Sequence, residues 1–97
     1  MKTSFVYIIT NKNNTVLYTG VTSNLVRRIH QHKTGFYKTS FSKRYNCHKL
    51  VYYEVFTDIR VAITREKQLK AGNRRRKVEL IEKENREWRD LAEDWVL

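Results

Sequence analysis

The first twenty residues constrain the fold more tightly than any other stretch of this chain. Ser4-Phe5-Val6-Tyr7-Ile8-Ile9-Thr10 is a β-branched and aromatic run, the composition of a strand. Asn11-Lys12-Asn13-Asn14 follows with turn chemistry, because asparagine tolerates the left-handed region and hydrogen-bonds its own backbone. Residues 15–19 predict a second strand that ends at Gly20. A turn centred between Lys12 and Asn13 would set Tyr7 directly opposite Tyr18, with Cβ atoms roughly 4.5–5.5 Å apart on one face. The opening expectation is a hairpin on which two phenols converge.

Beyond Gly20, Thr22 or Ser23 offers a helix N-cap, and residues 24–32 predict a helix. At about 100° per residue, Leu25 and Ile29 share one stripe, Arg28 and His32 flank it and Arg27 lies opposite. Residues 33–49 mix Gly35, aromatics and cations without a period and are expected to form a long loop or irregular segment, a kind that is commonly functional. Leu50-Val51-Tyr52-Tyr53-Glu54-Val55-Phe56 is a third strand. Thr57 or Asp58 then caps a helix running to about Ala71, with Gly72 in the position after its end. A further helix is expected over residues 74–84, with Val78 and Ile81 inward. Trp88, Leu91, Ala92 and Trp95 stand at helical spacing and predict an amphipathic closing helix.

No proline, repeat or low-complexity tract divides these elements, so residues 1–97 are expected to be one domain. Twenty Lys and Arg against ten Asp and Glu leave a net charge of +10, while 40% hydrophobic residues mark a folded chain. Such an excess points to phosphates, hence DNA, with RNA left open; a basic surface kept for solubility is the bland alternative. No apolar run approaches the ~20 residues that span a bilayer, and the opening apolar stretch is too short for a secretory signal. The single cysteine, Cys47, excludes an internal disulfide and fits a reducing compartment. A cytoplasmic protein with no membrane or disulfide-linked partner is expected; oligomeric state is not legible.

Glu66 is the most informative position, a carboxylate in the middle of the apolar arc set by Ile59, Ala62, Ile63 and Leu69. A buried carboxylate is costly unless it is paired, here with Arg28 or Arg65, or binds a metal. One carboxylate suits a single Mg²⁺ that completes its shell with waters and a phosphate oxygen. Arg28 offers a planar fork matched to phosphate oxygens, or is an ordinary helix-flank arginine. His32, one turn on, is most simply a satisfied half-buried histidine. A free tyrosine, with pKa near 10, costs roughly 4 kcal/mol to ionise at pH 7, so a phenolic base needs cations beside it. Arg65, Lys67, Lys70, Arg74, Arg75 and Arg76 form a candidate phosphate-backbone patch, or a solvated face. Cys47, His48, His30 and His32 lack the spacing of a zinc site, and no P-loop is present.

Phe5-Val6-Tyr7, Tyr18-Thr19-Gly20, Arg28 ten residues after Tyr18, and Glu66 within Arg65-Glu66-Lys67-Gln68-Leu69-Lys70 together resemble the GIY-YIG nuclease family. The likeness is to its small stand-alone bacterial members, which resemble the N-terminal nuclease module of the DNA excision-repair endonuclease (excinuclease). The resemblance covers nearly the whole chain and implies an α/β (α+β) fold, a small three-stranded antiparallel sheet flanked by helices. It implies Mg²⁺-dependent hydrolysis of DNA phosphodiesters, with Mn²⁺ a possible substitute. Tyr7 would be general base, Tyr18 its assistant, Arg28 the phosphate stabiliser, His32 a support for the phosphate or leaving group, and Glu66 the metal ligand. Phe5 replaces the signature glycine and Thr19 its isoleucine. The family's late asparagine falls on Asn85, with Asn73 in reserve. A nucleic-acid-binding module, inactive or active only within a larger assembly, is the rival reading.

Overall fold

The computed structural model describes residues 3–34 and 45–95; most of the aperiodic stretch over 33–49 therefore falls outside the described residues. Three strands, β1 (Ser4–Thr10), β2 (Leu17–Thr22) and β3 (Lys49–Phe56), form one antiparallel sheet in the order β2-β1-β3. Helices α1 (Leu25–Thr34), α2 (Ile59–Ala71) and α3 (Arg74–Glu84) complete the described elements. The expected α+β class and three-stranded sheet are what the chain forms.

β1 lies between its two partners and is covered on both faces, which explains a strand with apolar residues at successive positions. Tyr7 and Ile9 pack with Leu25 and Ile29 of α1, Cys47, Leu50 and Ala92. On the other face, Val6 meets Ala62 and Leu69 of α2, and Ile8 meets Val51, Tyr52 and Ile81 of α3. A bulge between Ile8 and Ile9 in the β1–β3 pairing brings Leu50 to the α1 face and leaves Val51 on the other.

The hairpin register differs from expectation. Tyr7 pairs with Gly20, and Tyr18 pairs with Ile9. The turn is longer because the Asn11 side-chain oxygen accepts from the amides of both Thr15 (2.8 Å) and Val16 (3.0 Å), while Asn14 takes φ 58°. Strand pairing therefore begins two residues later than a tight turn allows. A two-residue slip conserves the face, so Tyr7 and Tyr18 remain neighbours on the α1 side.

The cap of α1 is Asn24, not Thr22 or Ser23: its side-chain oxygen accepts from the Arg27 amide, and Thr22 Oγ1 accepts from Asn24 N. Asp58 caps α2 as expected. Gly72 ends α2 with φ −74° in extended backbone, so its left-handed freedom is unused; Asn73 at once caps α3, accepting from Arg76 N.

The closing segment is not a helix. Trp88 takes φ 57°, and the side chains of Asn85 and Asp90 bond the backbone where a helical ladder would run. Asp90 accepts from Leu50 N at 3.1 Å, and Leu91 N donates to Leu50 O at 2.8 Å, binding the segment to β3. Trp88 packs with the Ile8–Ile81 cluster, whereas Ala92 and Trp95 pack with the Tyr7 cluster. A segment that covers both faces of the sheet has to pass around it, and a straight helix would keep those side chains together on one side.

Candidate active site

Gly20 and Tyr7 are cross-strand partners, and the Tyr7 ring lies where a side chain at Gly20 would stand. A Cβ at Gly20 would sit 2.4 Å from Tyr7 Oη and 2.5 Å from Cζ. The glycine is required by this close approach. Seated there, Tyr7 has no exposed surface, and its hydroxyl shares a 2.9 Å hydrogen bond with Nε2 of His32. His32 reaches the phenol because helical spacing places it on the buried stripe of α1 with Leu25 and Ile29. Burial, then the Arg28 charge, then His48, push the imidazole pKa down to about 4. The ring is neutral at physiological pH, and a neutral imidazole pairs with the Tyr7 hydroxyl in either tautomer, Nε2 accepting from it or donating to it.

Tyr18, half-buried, completes an aromatic trio: its ring centroid is 5.6 Å from that of His32 and 6.4 Å from that of Tyr7. The two phenols therefore differ in access. Tyr7 is buried and bonded to His32, whereas the water that its expected place as the base calls for would have to reach it. Tyr18 keeps partial exposure.

Arg28 stands one turn before His32, half-buried, as its helical angle predicts; Arg27 is exposed. It lines an open cleft of about 780 Å³ with Ser4, Val21, Thr22 and the start of α2 at Asp58 and Ile59. Ser4 and Val21 belong to the α2 face of the sheet, so this cleft wraps the sheet's end and joins the two layers on either side.

Glu66 comes from α2, which packs on the Val6 face. The two phenols and His32 therefore lie on one side of the sheet, and the helix carrying Glu66 on the other. Only around the end or open edge of the sheet can the two groups address one substrate. The Glu66 side chain is 14% exposed and pairs with Lys70 at 3.2 Å; of the expected apolar arc only Ala62 and Leu69 are buried, while Ile59 and Ile63 stand exposed. Neither Arg28 nor Arg65 supplies that ion pair. Arg65 instead makes a two-pronged bond to Glu54, Nε to Oε1 at 2.9 Å and Nη2 to Oε2 at 3.0 Å, and the Tyr52 hydroxyl donates to the same carboxylate. Burial alone would raise the Glu54 pKa, but these donors together hold it below the usual carboxylate range.

The basic patch is divided in the same way. Arg74 donates to the carbonyls of Asn14 (2.6 Å) and Thr15 (3.1 Å), tying α3 to the hairpin turn, and Arg75 pairs with Glu79 at 3.3 Å. Lys67 is exposed, and Arg76 lines a groove between α2 and α3. Asn85 is buried and its amide is fully engaged: it donates to Val51 O and Arg89 O and accepts from Arg89 N. It clamps the end of α3 to β3, at the sheet edge opposite β2, and the structure does not bring it to the phenols. Asn73 is spent as a helix cap. Sequence reading missed Gly20 as a site-building residue; its signal was a glycine inside a strand.

A family model described as the GIY-YIG catalytic domain matches residues 3–85. The chain belongs to the GIY-YIG family. Among its relatives, a UPF0213 protein of Syntrophus aciditrophicus is 36% identical over 81 residues, spanning 84% of this chain and 92% of that one. A UPF0213 protein of Staphylococcus haemolyticus is 37% identical over 82 residues, 84% of this chain and 98% of the relative. The solution NMR structure of a UPF0213 protein from Bacillus halodurans superposes with a TM-score of 0.57 at 24% identity, covering 98% of this chain and 99% of that one, and shares its fold. The GIY-YIG signatures are thus the Tyr7-bearing strand and the Tyr18–Gly20 strand, joined by the Tyr7–Gly20 contact. The GIY-YIG domain is a nuclease domain, and no helix among the described residues is long and apolar enough to cross a membrane.

Proposed function

We propose that this chain is a metal-dependent endonuclease that hydrolyses DNA phosphodiester bonds by in-line attack of water. The observation that carries this reading is the seated Tyr7–His32 pair with Tyr18 packed against it and Arg28, one turn away, opening into the cleft at the end of the sheet. Arg28 binds the scissile phosphate through its planar fork, and partial burial strengthens its field on the charge that develops there. Tyr18, the phenol with access, orients the attacking water and takes its proton. Tyr7 and neutral His32 act behind it, fixing the ring positions through their shared bond.

Glu66 is the residue to hold Mg²⁺, with Mn²⁺ as substitute. No group of three or more His, Cys, Asp or Glu side chains gathers among the described residues, so the donor set suits one hard cation that keeps several waters and not a caged or two-metal centre. Such an ion supplies Lewis-acid stabilisation of the phosphate. Lys67 and Arg76 contact the flanking backbone, a contribution that weakens with salt.

Plasmid nicking in Mg²⁺ against EDTA tests the proposal. Glu66→Ala is expected to abolish metal-dependent nicking with the fold intact, and Arg28→Ala to slow it by about 10²–10³. Undiminished nicking by Glu66→Ala removes that residue from the metal site. Salt-sensitive DNA binding with no nicking in either metal selects the rival binding module, a reading favoured by the Glu66–Lys70 pair and by the separate layer that Glu66 occupies.

A further inference from the structure

At the α1 face, beside the Arg28 cleft, three aromatic side chains come together that the nuclease reading does not use. Phe5 of β1 and Tyr53 of β3 are cross-sheet neighbours with ring centroids 6.4 Å apart, and Trp95 from the closing segment packs edge-on to Tyr53 at 6.3 Å. With Val26 they line an open cleft of about 320 Å³, at the lower end of small-ligand sites. Tyr53 is 36% exposed although it sits mid-strand on a covered sheet face. Ser23 lines both this cleft and the one that holds Arg28, so the two form one continuous surface.

We infer that this cleft is a stacking site for an unpaired nucleobase next to the phosphate bound at Arg28, and hence that the substrate carries single-stranded or splayed nucleotides at the cut. The inference rests on the nuclease reading for its placement of the phosphate. Three observations select this occupant. The chain carries a net charge of +10, which draws a polyanion and opposes the approach of a second copy. The cleft adjoins a guanidinium suited to phosphate. Phe5, Tyr53 and Trp95 supply three rings to its lining, and every base offers a π face to them, whereas a duplex keeps its bases stacked out of reach.

The test is equilibrium binding in EDTA, where no cleavage occurs, to a fluorescein-labelled oligothymidine strand of about twelve nucleotides, a strand of equal length lacking bases, and a duplex. The wild-type chain is expected to bind the thymidine strand more tightly than the base-free one. Tyr53→Ala should weaken thymidine-strand binding by about 5- to 100-fold and leave the other two unchanged, while Tyr53→Phe keeps wild-type affinity. In the unmutated chain, tryptophan emission should be quenched by the thymidine strand and not by the base-free strand, a readout independent of how the variant folds. Equal wild-type affinity for thymidine and base-free strands overturns the inference, as does a Tyr53→Ala loss that is uniform across all three ligands. A dimer that Tyr53→Ala dissolves in sedimentation overturns it too, in favour of a second copy. The two readings fail separately. Nicking with base-independent binding sinks this one alone, and base-dependent binding without nicking sinks the nuclease alone.

Discussion

Replacing Gly20 with alanine adds one methyl group, and the structure makes that methyl diagnostic. In a strand, glycine to alanine ordinarily stabilises by about 0.5–1 kcal/mol through reduced backbone freedom in the unfolded chain. Here the new Cβ would stand 2.4 Å from Tyr7 Oη, 2.5 Å from Cζ and 2.9 Å from Cε1. To reach ordinary contact the ring must retreat by about 1 Å, and it has no free space to do so: Tyr7 is wholly buried, bonded to His32 and packed beside Tyr18. Overpacking of this kind costs about 1–3 kcal/mol, and loss of the buried Tyr7–His32 bond adds roughly 1–3. Gly20→Ala is therefore expected to destabilise by about 2–5 kcal/mol, a large part of the 5–15 typical of a domain. Thermal unfolding by circular dichroism should show a midpoint lower by about 10–25 °C. Tyr7→Phe leaves Cζ in the way but removes the same bond to His32 that Gly20→Ala breaks, so the double variant should lose less than the sum of the singles. A Gly20→Ala chain as stable as wild type, or strict additivity in the cycle, refutes the claim that this glycine exists to seat the tyrosine.

Two further outcomes follow from single residues. The unfolded imidazole of His32 takes a proton near pH 6.5 and the folded one near 4, so its stabilising effect is complete above about 6.5 and is lost as pH falls from there toward 4. At about 1.4 kcal/mol per pH unit the loss comes to roughly 3–3.5 kcal/mol; urea midpoints across this range should fall more steeply for wild type than for His32→Gln, and parallel curves would contradict the buried neutral ring. Asn85→Ala strips partners from Val51 O and Arg89 N and should cost about 2–4 kcal/mol, with nicking per folded molecule preserved; a fully stable variant that no longer nicks would return Asn85 to the site.

Much of the architecture was legible because local rules and tertiary demands agree. β1 and α3 have the bounds expected from composition, caps and period, and β3 and α2 differ by a residue or so, since each presents an apolar face that the sheet or its helices can bury. The same periodicity placed His32 and Arg28 correctly on α1, and it put Glu66 beside the buried Ala62 and Leu69, although Ile59 and Ile63 of the same arc face solvent. Chain order cannot say where a hairpin turn closes, and a side chain of Asn11 that bonds two amides moved the register by two residues while parity held the tyrosines together.

What the residues by themselves determined, then, is which side chains share a face: alternation and the 3.6-residue turn are properties of the backbone and need no partner. Three matters waited for the tertiary structure. Tyr7 is sealed because the space above Gly20 happens to be filled by its ring, Glu66 belongs to the layer across the sheet, and a segment spaced like a helix instead wraps around β3. Each depends on which elements pack against which, and that is settled by contacts between residues far apart in the chain, about which local spacing carries no information.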